Sequence, residues 1–345
     1  MRAWTMAAGV LTGVAIGAAV RARRAPHLVP VRGSLRTVTT PDGVRLAVEV
    51  DEPESPSYAV VFAHGWVLNR HSWHFQREAL AGRAMLVFYD QRGHGDSISG
   101  AADRCTIEQL GEDLHTVIEA VVPPELPVVV VGHSMGGMTV MGLAAARPSL
   151  FGSRIVGAAL VSTSSGRLGE STFGLPGPIG RLAPRVTPLL MDGLRDRMLS
   201  PVATMPLTRS MAFGPSRQHL RFVNRMIAAT PAAVMAGFYR GMVAHDKLAA
   251  LPALASVETL VLVGALDRLT PLVHSRRIAD ALPSARLVVV PGAGHMVGLE
   301  NPTAVGVELA ALLERVSARL GNGEPEPIGA GAAEPLGERA AQPER

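Results

Sequence analysis

Ser134 stands in the run Gly132-His133-Ser134-Met135-Gly136, with Val128–Val131 before it and the helical pattern Met138–Ala146 after it. A β-branched strand, a G-x-S-x-G turn and then a helix make a strand-to-helix elbow. Such an elbow lifts the serine hydroxyl over the carboxyl ends of the strands, where ligands bind in open α/β sheets. The turn is too sharp for side chains at Gly132 and Gly136, and the helix N-terminus beside the serine favours negative charge developing there. The chemistry of such a hydroxyl is nucleophilic attack, which needs a base, itself oriented by an acid. His295 follows the last β-branched run, Leu287–Val290, in the loop Pro291-Gly292-Ala293-Gly294-His295. Asp267 follows Thr259–Val263 in Gly264-Ala265-Leu266-Asp267. The order is therefore Ser134, Asp267, His295, each just past the end of a strand. The three are expected on one face of a sheet as a catalytic triad.

The remaining candidates are weaker. Asp246 and Glu170 are alternative acids. His274 and His245 lie in or near helical stretches and read as surface or packing residues. His133 flanks the nucleophile and reads as packing the elbow, its ring turned from the reacting centre. Cys105, the single cysteine, reads as a small apolar residue and excludes a disulfide scaffold. No cluster has metal-ligand spacing and no glycine loop cradles a phosphate, so no metal and no cofactor is expected.

The elements that must position these residues alternate along the chain. Leu35–Thr40 and Val44–Val50 read as strands around the turn Pro41-Asp42-Gly43. Tyr58–Ala63, Ala84–Tyr89, Val128–Val131, Ile155–Val161, Thr259–Val263 and Leu287–Val290 are continuous apolar runs, as in strands covered on both faces of a parallel sheet. Helical patterns fall at about Arg70–Ala81, Thr106–Val121, Met135–Ala146, Pro271–Leu282 and Thr303–Leu320. A hairpin followed by repeated βα units implies an α/β fold, a mostly parallel doubly wound sheet with helices on both faces. The rhythm breaks after about the sixth strand. The expected organisation is an α/β core at 33–163 and 246–320, a helical cap at 164–245, and terminal segments at 1–24 and 321–345.

At this point the residues resemble the α/β-hydrolase fold superfamily over about residues 35–320. His64-Gly65-Trp66 looks like its oxyanion-loop motif, and Asp90-Gln91-Arg92-Gly93-His94-Gly95-Asp96-Ser97 like its D-x-R-G-x-G-x-S segment. Leu260–Pro271 resembles the acid loop and Gly292–His295 the histidine loop. The resemblance implies an oxyanion hole made by the backbone N–H groups of Trp66 and Met135. It also implies that His64, Gly65, Arg92 and Gly93 shape loops and do no chemistry. A serine at the elbow implies an acyl-enzyme and hydrolysis of a carboxylic ester, as in a serine esterase or lipase. A cofactor-free peroxidase or perhydrolase, or a C–C bond hydrolase, is the alternative on the same triad, and a non-catalytic binding protein is a third reading.

Composition bounds the rest. With 345 residues, 48% of them hydrophobic and 18% charged, there is ample material for a core, which excludes a disordered chain. The mean hydropathy of +0.24 is high for such a composition, and part of the excess sits at Trp4–Val20, which carries no charge. At 1.5 Å per residue those residues span about 25 Å as a helix, close to a bilayer core of ~30 Å. Arg21, Arg23, Arg24, Arg32 and Arg36 follow, so the expectation is a membrane anchor with the catalytic domain on the cytoplasmic side. A signal peptide cleaved near Gly17-Ala18-Ala19, and hence export, is the alternative. Residues 321–345, rich in Pro, Gly and Glu, are expected to form a solvated tail. Ser164–Val243 holds ten Arg and half of the 14 Met, which suggests a basic, apolar-lined cap facing an ester or lipid-like small molecule and anionic headgroups. The equal alternative is that these methionines pack the cap's own core. Basic residues lie among Met and Pro and not among aromatics, so nucleic acid is not expected as a partner.

Overall fold

The computed structural model describes residues 33–168, 198–211 and 216–321. Eight strands run in chain order: β1 (Ser34–Thr39), β2 (Arg45–Asp51), β3 (Ala59–Ala63), β4 (Met85–Tyr89), β5 (Val128–His133), β6 (Ile155–Val161), β7 (Glu258–Gly264) and β8 (Arg286–Val290). They form one sheet in the order β1-β2-β4-β3-β5-β6-β7-β8. β1 pairs antiparallel with β2, and β2 with β4; every later pair is parallel.

The continuous valine runs follow from burial on both faces. In β5, Val128 and Val130 point into one apolar cluster while Val129 and Val131 point into the other. The first cluster is completed by α2 (Ile107–Val121), through Leu110, Leu114 and Val117, and by α3 (Met135–Ala146), through Met138 and Met141. The second is completed by Leu80 of α1 (His74–Leu80) and, far along the chain, by Val305, Leu309 and Leu312 of a C-terminal helix at Pro302–Gly321. A fully buried valine or leucine stabilises such a core by roughly 1.5–3 kcal/mol.

The helix expected over Arg70–Ala81 is divided. Arg70–Trp73 is a 3-10 turn, and α1 begins at His74. Asn69 accepts from the His71 N–H at 3.1 Å and Asp90 from the Arg70 N–H at 2.7 Å, which tightens that first turn. Among the described residues between β6 and β7 lie α4 (Pro201–Met211), α5 (Arg217–Ala228) and α6 (Ala232–Ala244). Met211, Met226, Met235 and Met242 of these helices are buried in the first cluster. These four thus pack a core, whereas Met198 is exposed and Met205 half-buried. α7 (Leu272–Ala281), the short α8 (Val297–Glu300) and α9 (Pro302–Gly321) follow among the described residues.

The expectation of a membrane-anchored enzyme is corrected. Among the described residues no helix is long and apolar enough to cross a membrane. α9 has 20 residues, long enough at about 30 Å, but Glu308, Glu314, Arg315 and Arg319 lie within it. The segment 1–24 that prompted the expectation lies outside the described residues, as do Glu170 and residues 322–345.

Candidate active site

The elbow is held by contact. A Cβ on Gly132 would lie 2.3 Å from the Gly136 carbonyl oxygen, and one on Gly136 only 2.0 Å from that of Ala63. Neither backbone can yield, so β5, α3 and the end of β3 meet at a distance only glycine permits. Ser134, between the two, has φ 53° and ψ −115°, an unusual conformation for a residue with a side chain. It is fixed from both ends. Its N–H donates to the Val161 carbonyl at 2.9 Å and its own carbonyl accepts from Thr163 Oγ1 at 2.7 Å.

The loops after β7 and β8 bring the other two residues to it. Ser134 Oγ lies 3.0 Å from His295 Nε2, and His295 Nδ1 lies 2.9 and 3.1 Å from the Asp267 carboxylate oxygens. With Nδ1–H donating to Asp267, Nε2 is free to accept the serine proton. All three residues are buried. Burial by itself would push the Asp267 carboxyl up, but the adjacent His295 and several hydrogen bonds outweigh it and hold the group below the usual carboxylate range. Those bonds come from the N–H groups of Leu269 and Thr270 and from Thr270 Oγ1, each at 2.9 Å.

Trp66 and Met135 follow shortly after the ends of β3 and β5. Met135 opens α3, so its N–H has no partner within the helix. Trp66 sits in the tight turn Gly65–Leu68, and its N–H finds no acceptor among the described residues. The next residue, Val67, has φ 56°, strained for a β-branched side chain. The Trp66 indole donates to the Met235 carbonyl of α6 at 3.1 Å and packs 5.7 Å from the Tyr239 ring, tying this turn to the helices inserted after β6.

Both ring nitrogens of His64 are engaged within the loops around it. It is fully buried, donates from Nδ1 to the Gly65 carbonyl (2.8 Å) and accepts at Nε2 from the Gln91 N–H (3.0 Å). Burial lowers its pKa to about 3, so the ring is neutral and shapes the loop. Arg92 is buried between Asp113 (2.6 Å) and Asp42 (2.9 Å), and Gly93 turns the loop with φ 77°. Gly65 leaves room for the His133 ring, since a Cβ there would stand 2.8 Å from its Nδ1.

Several candidates stay apart from this group. Asp246 is exposed and accepts from the Leu248 N–H. His274 and His245 are buried around Ser164, at 2.8 Å from its hydroxyl and 3.0 Å from its carbonyl. Burial pushes the Cys105 thiol up, away from a reactive thiolate. His133 differs from its expected role, because its Nε2 donates to the carbonyl of His295 at 2.9 Å. Thr270 and Glu300 went unnoticed in the sequence. Thr270, three residues past an aspartate, has the spacing of a side-chain-capped turn. Glu300, which binds the Gly294 and Met296 N–H groups, has no local signal at all.

A buried hydroxyl against an imidazole, with a carboxylate on the far nitrogen, has the arrangement of a nucleophile with its base and orienting acid. Residues 60–308 match the model of the Alpha/beta hydrolase family. The chain is similar to the monoacylglycerol lipase of Mycolicibacterium smegmatis, 28% identical over 262 residues that cover 74% of this chain and 87% of the relative. It is also similar to 3-oxoadipate enol-lactonase 1 of Acinetobacter baylyi, 26% identical over 77% of this chain and 91% of that one. Among solved structures, a thermophilic esterase from Thermogutta terrifontis superimposes with a TM-score of 0.68 at 25% identity, covering 82% of this chain and 99% of its own.

Proposed function

The chain belongs to the alpha/beta hydrolase family, and from that premise we propose that it hydrolyses carboxylic esters through Ser134, His295 and Asp267. The observation that carries this reading is the continuous relay Ser134 Oγ–His295–Asp267, with contacts of 3.0 and 2.9 Å. Ser134 Oγ attacks the ester carbonyl while His295 Nε2 takes its proton, and Asp267 stabilises the imidazolium. The N–H groups of Trp66 and Met135 receive the oxyanion. His295 then protonates the departing alcohol, which leaves an acyl group on Ser134. A water molecule, deprotonated by His295, releases the acid and restores the hydroxyl.

The relatives named as a monoacylglycerol lipase, an enol-lactonase and an esterase support a small ester or lactone as the substrate class. The apolar helix α6, reaching Trp66 through Met235 and Tyr239, supports an apolar acyl or alkyl group and a cap at 164–245. A fluorophosphonate probe should label Ser134, and p-nitrophenyl esters from acetate to decanoate should be turned over. Ser134→Ala should abolish labelling and lower kcat by on the order of 10⁶. An enzyme that brominates with peroxide yet cleaves no ester, or an alanine variant with parental turnover, would overturn the reading.

A further inference from the structure

The backbone around His295 is gripped on both sides by side chains other than those of Ser134 and Asp267. The Glu300 carboxylate accepts from the Gly294 N–H through Oε2 (2.8 Å) and from the Met296 N–H through Oε1 (3.0 Å). The His295 carbonyl accepts from His133 Nε2 (2.9 Å). The peptide linking His295 to Met296 is therefore held at both poles, its N–H by Glu300 and its C=O by His133. Residues 291–296 belong to no strand or helix, so no regular ladder fixes them.

We infer that Glu300 is a positioning residue for His295, acting with His133 to hold the backbone on either side of the imidazole. The inference rests on the reading of His295 as the general base. Two rotatable bonds separate the ring from its Cα. The contacts at 3.0 Å to Ser134 and 2.9 Å to Asp267 on opposite ring nitrogens can both be kept only if that Cα stays in place. A shift of about 1 Å in a group that sets reacting geometry can cost ~100-fold in rate. A carboxylate suits the task because it offers one charged acceptor oxygen to each of the two N–H groups. A glutamine of nearly the same shape has one acceptor and turns an NH₂ group toward the other amide.

The test is Glu300→Gln in the full chain, with active sites counted by fluorophosphonate titration at Ser134. The expected result is a kcat per titrated site about 10–100-fold lower with KM near the parental value. The downfield proton resonance that the His295–Asp267 hydrogen bond should give in the parent without substrate should broaden or vanish. Parental kcat per site with an unchanged resonance would overturn the inference, as would a loss confined to the number of titratable sites. Should Glu300→Gln fail to fold, Glu300→Asp keeps the charge but falls a methylene short of bridging both amides, and the same outcomes decide. A parent enzyme that does not label at Ser134 overturns the serine-hydrolase reading instead, and the role of Glu300 with it.

Discussion

Asp267 is a buried anion whose solvation has been replaced group by group. Two backbone N–H groups, one hydroxyl and one imidazole surround its oxygens. The hydroxyl can be removed alone. Thr270→Val keeps the shape and both amides but deletes a hydrogen bond to a charged acceptor, a class of bond that contributes about 1.5–3 kcal/mol. We expect a comparable loss in urea-unfolding free energy, with kcat falling no more than about tenfold because two backbone donors remain. An unchanged urea midpoint would show that the hydroxyl does not support the carboxylate. At this scale the sequence was informative where local context is strong. The serine lies between two obligatory glycines, and acid and base lie just past strand ends, so all three could be named from the chain. Glu300 could not, because its meaning depends on a loop folding back over six residues. The hydrogen bond from His133 to His295 spans 162 residues and leaves no local trace.

At the scale of elements, the same contacts that make the elbow possible make it brittle. Gly136→Ala would place a methyl 2.0 Å from the backbone oxygen of Ala63, with no side chain there to move aside. Overpacking costs typically ~1–3 kcal/mol and more where nothing can yield, so this variant is expected to be insoluble or to melt far below the parent. Gly43 is the counterpart. Its φ is +81° but nothing lies within 4 Å of the place a Cβ would occupy, so Gly43→Asn should melt within a few degrees of the parent. Thermal unfolding of the pair separates close approach from backbone conformation as the reason for a glycine. The strands were legible because burial on both faces writes an unbroken apolar run. The placement of β4 between β2 and β3 was not, since neither strand's residues encode their neighbour. The 3-10 turn before α1 was also hidden, as it depends on Asp90 reaching back to the Arg70 amide.

For the whole molecule, the notable charge property is a set of buried neutral imidazoles. Burial lowers the pKa of His64, His94 and His133 to about 3 and that of His245 to about 4, against 6.5 when unfolded. The unfolded chain therefore binds more protons below pH 6.5, and the stability present above that pH is lost as pH falls toward the folded values. By pH 5 each of the four costs about 2 kcal/mol, together about 8, against a typical total of ~5–15 kcal/mol. Asp90 and Asp113, whose carboxyls burial pushes up, take up protons earlier in the fold and offset part of this. Urea titrations followed by circular dichroism should show the unfolding free energy falling steeply from pH 6.5 to 5; a flat profile would contradict the buried-histidine account. The anchored location expected from the first residues shows what a composition rule leaves out. An uncharged run describes a segment's own transfer preference, and no described helix adds a membrane span to it.

The position of the base in the sheet has a consequence for how the protein is made. His295 follows β8, the edge strand opposite the amino-terminal hairpin, and lies 161 residues after Ser134. On the proposed triad, a growing chain that has completed β7 carries Ser134 and is about to add Asp267 but lacks the base. On that reading the serine gains its base only when the final strand docks on the open edge, so reactivity arrives with the last element of the sheet.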